Sequence, residues 1–161
     1  MRVERKVALI SGGARGIGAA TARLLAKEGA AVIIGDVLEK EGRETEAEIA
    51  EAGGKVFFVT LDVTSEDSWR SAVQAAVDAY GKLDVVVNNA GITGRTGVEE
   101  TTVESWSRVM DINAKGVFLG VKMAIPELRK AGGGSIINVS SIYGIVGSTG
   151  GAAYHASKGA V

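Results

Sequence analysis

Short runs of aliphatic and β-branched residues alternate along the chain with longer stretches whose apolar positions recur every three or four residues. Val7-Ala8-Leu9-Ile10, Ala31-Val32-Ile33-Ile34, Val56 to Leu61, Leu83 to Val87 and Ser135 to Val139 read as five strands. In the first two the apolar residues run on without polar interruption, the pattern of strands covered on both faces. The intervening segments read as helices. One runs from about Gly16 to Glu28 with Gly29 as its stop, and a charged one from Glu39 to Ala52 ends at Gly53-Gly54. Thr64-Ser65-Glu66-Asp67 has a capping-box pattern and opens a helix reaching Tyr80. Thr101-Thr102-Val103-Glu104 opens another, expected to break near Asp111-Ile112-Asn113, resume to about Lys130, and kink or thin at Pro126. A last helix carries Tyr154 and is expected to have barely one turn before Val161. Strands and helices alternate without linker or repeat, which predicts an α/β fold with a parallel sheet in a single domain over residues 1–161.

Composition narrows the chemistry. Glycine stands at 23 of 161 residues, about twice the usual ~7%, against one proline, and the glycines fall at the ends of apolar runs as turn residues. The 18 basic and 19 acidic residues are interspersed for a net charge of −1, so no nucleic-acid surface is expected. No cysteine is present and His155 is the only histidine, which removes disulfides, thiol catalysis and cysteine-ligated metals; no metal is expected. Four apolar residues after the basic N-terminus are too few for a signal peptide or a membrane span, so a cytoplasmic protein is the default expectation.

Three patterns suggest a site. Ser11-Gly12-Gly13-Ala14-Arg15-Gly16-Ile17-Gly18 follows the first strand with G-x-x-x-G-x-G spacing. Glycines at a strand-to-helix turn let the backbone approach a pyrophosphate, which meets the helix N-terminal N–H groups. Asp36 ends the second strand, where a carboxylate can accept from both ribose hydroxyls of an adenosine and repel a 2′-phosphate. It favours NAD over NADP, while the Arg15 guanidinium could accommodate that phosphate. Tyr154 and Lys158 stand one helical turn apart. A phenol titrates near ~10, and a fixed ammonium beside it favours the phenolate, bringing proton transfer into reach at neutral pH. Alone, such a pair is more often a solvated helix face.

Taken together, SGGARGIG at Ser11–Gly18, Asp62-Val63, Asn88-Asn89-Ala90-Gly91, Asn113, and Ser141 followed by Tyr154-His155-Ala156-Ser157-Lys158 resemble the classical branch of the short-chain dehydrogenase/reductase family. The match is ordered, similarly spaced and spans nearly the whole chain. The resemblance implies a doubly wound, Rossmann-like three-layer sandwich. It implies cofactor contacts at Gly12, Arg15, Gly16, Ile17, Gly18 and Asp36, with Asp62 and Val63 at the adenine ring and Asn88, Asn89, Ala90 and Gly91 beside the adenosine ribose. Tyr154 is then the general acid/base, and Lys158 lowers its pKa and holds the nicotinamide ribose. Ser141 steadies the reacting oxygen, and Asn113 holds a water in a proton relay. Only the family's spacing of 13 to the tyrosine selects Ser141 over its neighbour Ser140.

The remaining residues receive plainer readings. Ser140 is read as capping backbone, His155 as a contact residue, and Trp69 and Trp106 as helix packing; Asn113, without the family match, would be a helix-break residue capping backbone. The apolar stretches Ile142 to Gly151 and Ile92 to Thr96 are expected to flank a neutral alcohol or ketone, although Arg95 could meet an acid. The resulting expectation is an NAD-dependent oxidoreductase of a secondary alcohol or ketone, forming homo-oligomers. The alternative is a catalytically silent dinucleotide-binding or scaffold protein on the same fold. Family members continue past the YxxxK helix, so the chain is expected to be a fragment of a longer dehydrogenase, incomplete at the C-terminal side. It would have an exposed fifth-strand edge and little turnover of its own.

Overall fold

The computed structural model describes all residues, 1–161. Five parallel strands, β1 (Val7–Ser11), β2 (Ala31–Asp36), β3 (Lys55–Thr60), β4 (Val85–Asn88) and β5 (Ser135–Asn138), form one sheet in the order β3-β2-β1-β4-β5. Helices α1 (Gly16–Lys27), α2 (Glu39–Glu51), α3 (Glu66–Tyr80), α4 (Val103–Met110), α5 (Gly116–Lys130) and α6 (Ala152–Ala160) complete the chain. The β-α-β alternation and doubly wound order are those expected.

Every residue of β1 and β2 is buried because each face of the sheet has its own core. Val7, Leu9, Ala31, Ile33 and Val86 point toward α3 and α5, where Trp69, Ala72, Ala76, Leu119 and Leu128 meet them. The alternate residues Ile10, Val32, Ile34 and Val87 join Ala22, Ala26 and Ile49 of α1 and α2. The two-residue period of a strand thus feeds two cores, which explains the uninterrupted apolar runs. Trp69 has no exposed surface and donates its indole N–H to the Val63 carbonyl, so its packing contributes several kcal/mol, about 3–5 by the usual cost of truncation. Trp106 is 40% exposed, so packing alone does not account for it.

At the opposite end of the sheet from the glycine turn, Asp84 is buried and ties the starts of two strands. Its carboxylate accepts from the Val7 N–H at 2.9 Å and pairs with Lys6 at 3.2 Å and Lys82 at 2.9 Å. Burial pushes its pKa up, but the bonds from Lys82, Val7 and Lys6 more than offset this and hold it below the ordinary aspartate range.

Several local expectations shift. Both capping boxes are displaced by one residue. Ser65 rather than Thr64 caps α3, accepting from the Ser68 N–H, because the Thr64 hydroxyl and N–H are both taken by Asp62. Thr102 caps α4 through Ser105, while Thr101 donates to the Gly97 carbonyl. The break near Asp111 is a π-helical turn, Asp111–Lys115, and α5 continues through Pro126 to Lys130. The last helix begins before Tyr154 and has nine residues rather than one turn. The β5 edge is exposed, as anticipated, with Ile137 44% accessible. No helix is long and apolar enough to cross a membrane.

Candidate functional site

The strand order reverses at β1, where β2 leaves on one side and β4 lies on the other. Such a switch point opens a crevice at the C-terminal strand ends, the usual ligand position in an open parallel sheet. The glycine turn and the Asn88–Gly91 segment meet there. Ser11, 1% exposed, accepts from the backbone N–H groups of Asn89 at 3.1 Å and Ala90 at 3.2 Å. In return the Asn89 amide donates to the carbonyls of Ser11 at 3.1 Å and Gly12 at 2.9 Å. The two loops are therefore one bonded unit, and Ser11 is its centre although sequence reasoning gave it no separate part.

Glycine is required here for space as well as torsion. Gly12 has φ +65°, and a Cβ on it would stand 2.7 Å from the Ala90 Cα. A Cβ on Gly18 would stand 2.1 Å from the Gly12 carbonyl oxygen. Gly16 instead has φ +58° with open space around it, on the first turn of α1. Arg15 and Ile17 flank it and are exposed, Ile17 by 69%. Open backbone beside a helix N-terminus, with no room for side chains beneath, is a cradle that fits a dinucleotide pyrophosphate.

Asp36 closes the adjoining side. Its carboxylate accepts from the Ala14 N–H at 3.0 Å and the Leu38 N–H at 3.1 Å, so it braces the glycine turn. Each carboxylate oxygen retains capacity for a second donor. Thr45 adds a 2.8 Å bond to the Ala14 carbonyl. Asp62 is exposed and bonded to Thr64, whereas the Val63 side chain is buried and packs over Gly116.

The second half of the site is built on α6. Lys158 is 6% exposed, and its Nζ donates to the Val139 carbonyl at 2.7 Å, beyond the end of β5. The same Nζ lies 5.8 Å from the centre of the Tyr154 ring. Burial pushes the ammonium below the ordinary lysine range. Asn113, fully buried in the π-helical turn, accepts from the Ile92 N–H at 2.9 Å. It also donates to the Ile92 carbonyl at 2.9 Å and to the Ser157 hydroxyl at 3.0 Å. Ser157 in turn donates to the Tyr154 carbonyl at 2.8 Å. Asn113 thus staples the loop after β4 to the helix bearing Tyr154. The π-turn supplies the register that lets it do so, a common place for such irregularity. In the sequence Ser157 is only one residue of the Tyr154–Lys158 motif, and no periodicity distinguishes it.

Ser141 follows β5 and accepts from the Tyr143 N–H at 3.2 Å, opening a 3-10 turn, Ile142–Gly144. That turn packs on α6 so closely that a Cβ on Gly144 would stand 2.5 Å from the Lys158 carbonyl. Ser140 donates to that carbonyl at 2.6 Å, the backbone-capping part read for it. No direct hydrogen bond joins the Ser141 hydroxyl, the Tyr154 phenol and the Lys158 amine. Gly91 links the two halves. A Cβ there would lie 3.2 Å from Asn113 Oδ1 and 3.7 Å from Lys158 Nζ. The glycine turn, the Asn88–Gly91 loop, Asn113 and Lys158 therefore pack against one another at the C-terminal ends of the strands.

A three-layer parallel fold with a glycine cradle at its switch point defines a dinucleotide-binding class of architecture. Residues 6–161 match the family model described as short chain dehydrogenase, and the chain belongs to that family. It is 53% identical over 163 residues to the trans-4-hydroxycyclohexanecarboxylate dehydrogenase of Sinomonas cyclohexanicum, covering 98% of this chain and 62% of the relative. It is 49% identical over 160 residues to the cyclopentanol dehydrogenase of Comamonas testosteroni, covering 99% of this chain and 64% of the relative. The 3-alpha-(or 20-beta)-hydroxysteroid dehydrogenase of Mycobacterium tuberculosis is 46% identical over 160 residues, covering 99% and 60%. The chain spans 60–64% of the length of these relatives.

Proposed function

We propose that the protein is an oxidoreductase that moves a hydride between NAD(H) and a secondary alcohol or ketone, the hydroxyl being carried on an alicyclic ring. The observation that carries this reading is the proximity of Gly91 to both Asn113 and Lys158, which joins the dinucleotide cradle to the Tyr154 helix. The substrate class follows from the names of the relatives, which act on hydroxylated cyclohexane, cyclopentane and steroid rings. It agrees with the exposed apolar residues beyond Ser141, where Ile142 is 68% and Ile145 89% accessible.

When bound, the nicotinamide supplies the hydride acceptor or donor. Gly12, Arg15, Gly16, Ile17 and Gly18 hold the pyrophosphate end, and Asp36 accepts from the adenosine ribose. Asp62 and Val63 border the adenine, the latter through backbone, and Asn89, Ala90 and Gly91 border its ribose. Tyr154 exchanges the proton of the substrate hydroxyl. The Lys158 charge steadies the phenolate oxygen, and the lysine orients the second ribose. Ser141, its N–H partner Tyr143 already satisfied, offers its hydroxyl hydrogen to the substrate oxygen. Asn113 holds the loop and helix in register, and a water against it carries the proton onward.

The test is an alcohol panel, cyclohexanol, cyclopentanol and open-chain secondary alcohols, assayed for reduced nicotinamide with NAD and NADP, alongside calorimetric titration of both dinucleotides. The proposal expects NAD to bind more tightly and ring alcohols to have the higher kcat/KM. Equal or better use of NADP refutes the Asp36 argument, and no turnover by any protein containing this chain refutes the reaction.

A further inference from the structure

His155 follows the proposed proton-transfer tyrosine, yet its ring turns away from the Lys158 side and is fully engaged. Its Nδ1 lies 2.7 Å from the Gly151 carbonyl and its Nε2 lies 3.1 Å from the Ser148 hydroxyl. Its ring packs against Tyr143 with centroids 4.7 Å apart, and Tyr143 meets the Tyr154 ring edge-on at 6.3 Å. A carbonyl oxygen can only accept, so Nδ1 must carry a hydrogen, which leaves the neutral ring's Nε2 as an acceptor for Ser148. The ring therefore fastens three things at once: the first turn of α6, the segment Ser148–Gly151, and the aromatic face of the 3-10 turn.

We infer that His155 is a positioning residue that clamps the substrate-side segment Ser148–Gly151 and Tyr143 against the helix bearing Tyr154, and so sets the fit of a ring alcohol. The inference rests on the function proposed above for its catalytic meaning, but its geometry stands independently. Gly151 is the hinge of the clamp. It has φ +80°, its N–H donates to the Thr96 carbonyl at 2.9 Å, and its own carbonyl receives both the backbone N–H and the ring N–H of His155. A Cβ on Gly151 would stand 2.6 Å from the Gly94 carbonyl. The two apolar stretches expected to flank a substrate, after β4 and after β5, are thus drawn together at one residue. Ser148 also lies 3.1 Å from the Gly150 carbonyl, so its hydroxyl hydrogen is shared between the loop's own backbone and the imidazole. Releasing the ring frees Tyr143 and the loop together; it removes no hydrogen bond of Tyr154, Lys158 or the glycine turn, and Tyr154 keeps its place on α6.

His155 is the only histidine in the chain, so nitrogen NMR reads its ring without assignment ambiguity. The neutral ring is expected in the Nδ1–H tautomer; a dominant Nε2–H tautomer overturns the clamp. Amide exchange across residues 148–151 supplies the second reading. His155→Leu removes both polar contacts and is expected to speed exchange at Gly151 about 10-fold, equivalent to about 1.4 kcal/mol. His155→Asn puts an amide nitrogen where Nδ1 sits and is expected to restore most of that protection. Exchange in the Leu variant within about 2-fold of the parent overturns the inference. With active protein, the Leu variant is expected to raise KM for cyclohexanol about 10-fold while kcat and NAD affinity change less than about 2-fold. A fall in kcat with KM unchanged contradicts a positioning part. If the parent turns over no secondary alcohol, the proposed reaction fails, while tautomer and exchange still decide the clamp.

Discussion

Replacing Asn113 by Ala is expected to destabilise the fold strongly, although the residue is polar and sits at a helix irregularity. Three hydrogen bonds disappear, two to the Ile92 backbone and one to Ser157. A net neutral bond contributes about 1 kcal/mol, and a buried group left without a partner costs about 1–3 kcal/mol. Ile92 is only half-buried, so water recovers part of its loss, and Ala adds a few tenths through helix propensity. The sum is roughly 3 kcal/mol, a large share of a typical total of about 5–15 kcal/mol. With a urea slope of about 2 kcal/mol/M, the unfolding midpoint should fall by about 1.5 M. Asn113→Asp should not rescue it, because a carboxylate presents acceptors to the Ile92 carbonyl where Nδ2 now donates. A midpoint for Asn113→Ala within about 0.3 M of the parent, at unchanged slope, refutes the idea that this side chain staples loop to helix.

Other changes separate binding from stability. Gly18→Ala drives a Cβ against the Gly12 carbonyl, an overpacking cost of about 1–3 kcal/mol, so NAD binding by calorimetry should weaken at least about 10-fold; unchanged affinity contradicts the cradle. Asp36→Ala removes a brace of the Ala14 N–H as well as the proposed ribose acceptor, so NAD affinity should fall about 10-fold and the proposed preference for NAD over NADP should shrink; a preference unchanged by the substitution refutes that part for Asp36. Asp84→Asn should cost roughly 1.5 kcal/mol near neutrality, allowing for solvent screening of the half-exposed lysines. Because the Asp84 pKa is lowered in the fold, its contribution is present above the unfolded value of about 3.9 and is lost as pH falls through the folded one. Parent and variant should therefore converge in acid-unfolding curves below about pH 4; a constant gap contradicts the linkage.

Much of the architecture was legible because burial on both sheet faces writes itself as unbroken apolar runs. Val7 to Ile10 and Ala31 to Ile34 required no more than that. The β2 strand nonetheless runs on through Gly35 to Asp36, since pairing with β3 continues past the last apolar residue. The caps slipped by one because Thr64-Ser65 and Thr101-Thr102 each offer two hydroxyls, and tertiary partners decide which one is free to cap. The site motifs were legible as an ordered set, but their wiring was not. That Ser11 bonds the Asn89 and Ala90 N–H groups, or that Lys158 reaches the Val139 carbonyl, depends on strands far apart in sequence becoming neighbours. His155 shows the same limit: helical phase turns it away from Lys158, but only the fold reveals Tyr143 and Ser148 on the other side.

The central claim is that Tyr154 moves the proton in a hydride transfer, and Tyr154→Phe tests it most directly. The phenylalanine keeps the ring that packs against Tyr143 and removes only the hydroxyl. Turnover of cyclohexanol and binding of NAD are measured on parent and variant in parallel. Turnover is expected to fall by about 10²–10⁴-fold, the usual contribution of a positioned acid/base, while NAD affinity stays within about 2-fold. A variant that keeps the parent's turnover contradicts the account.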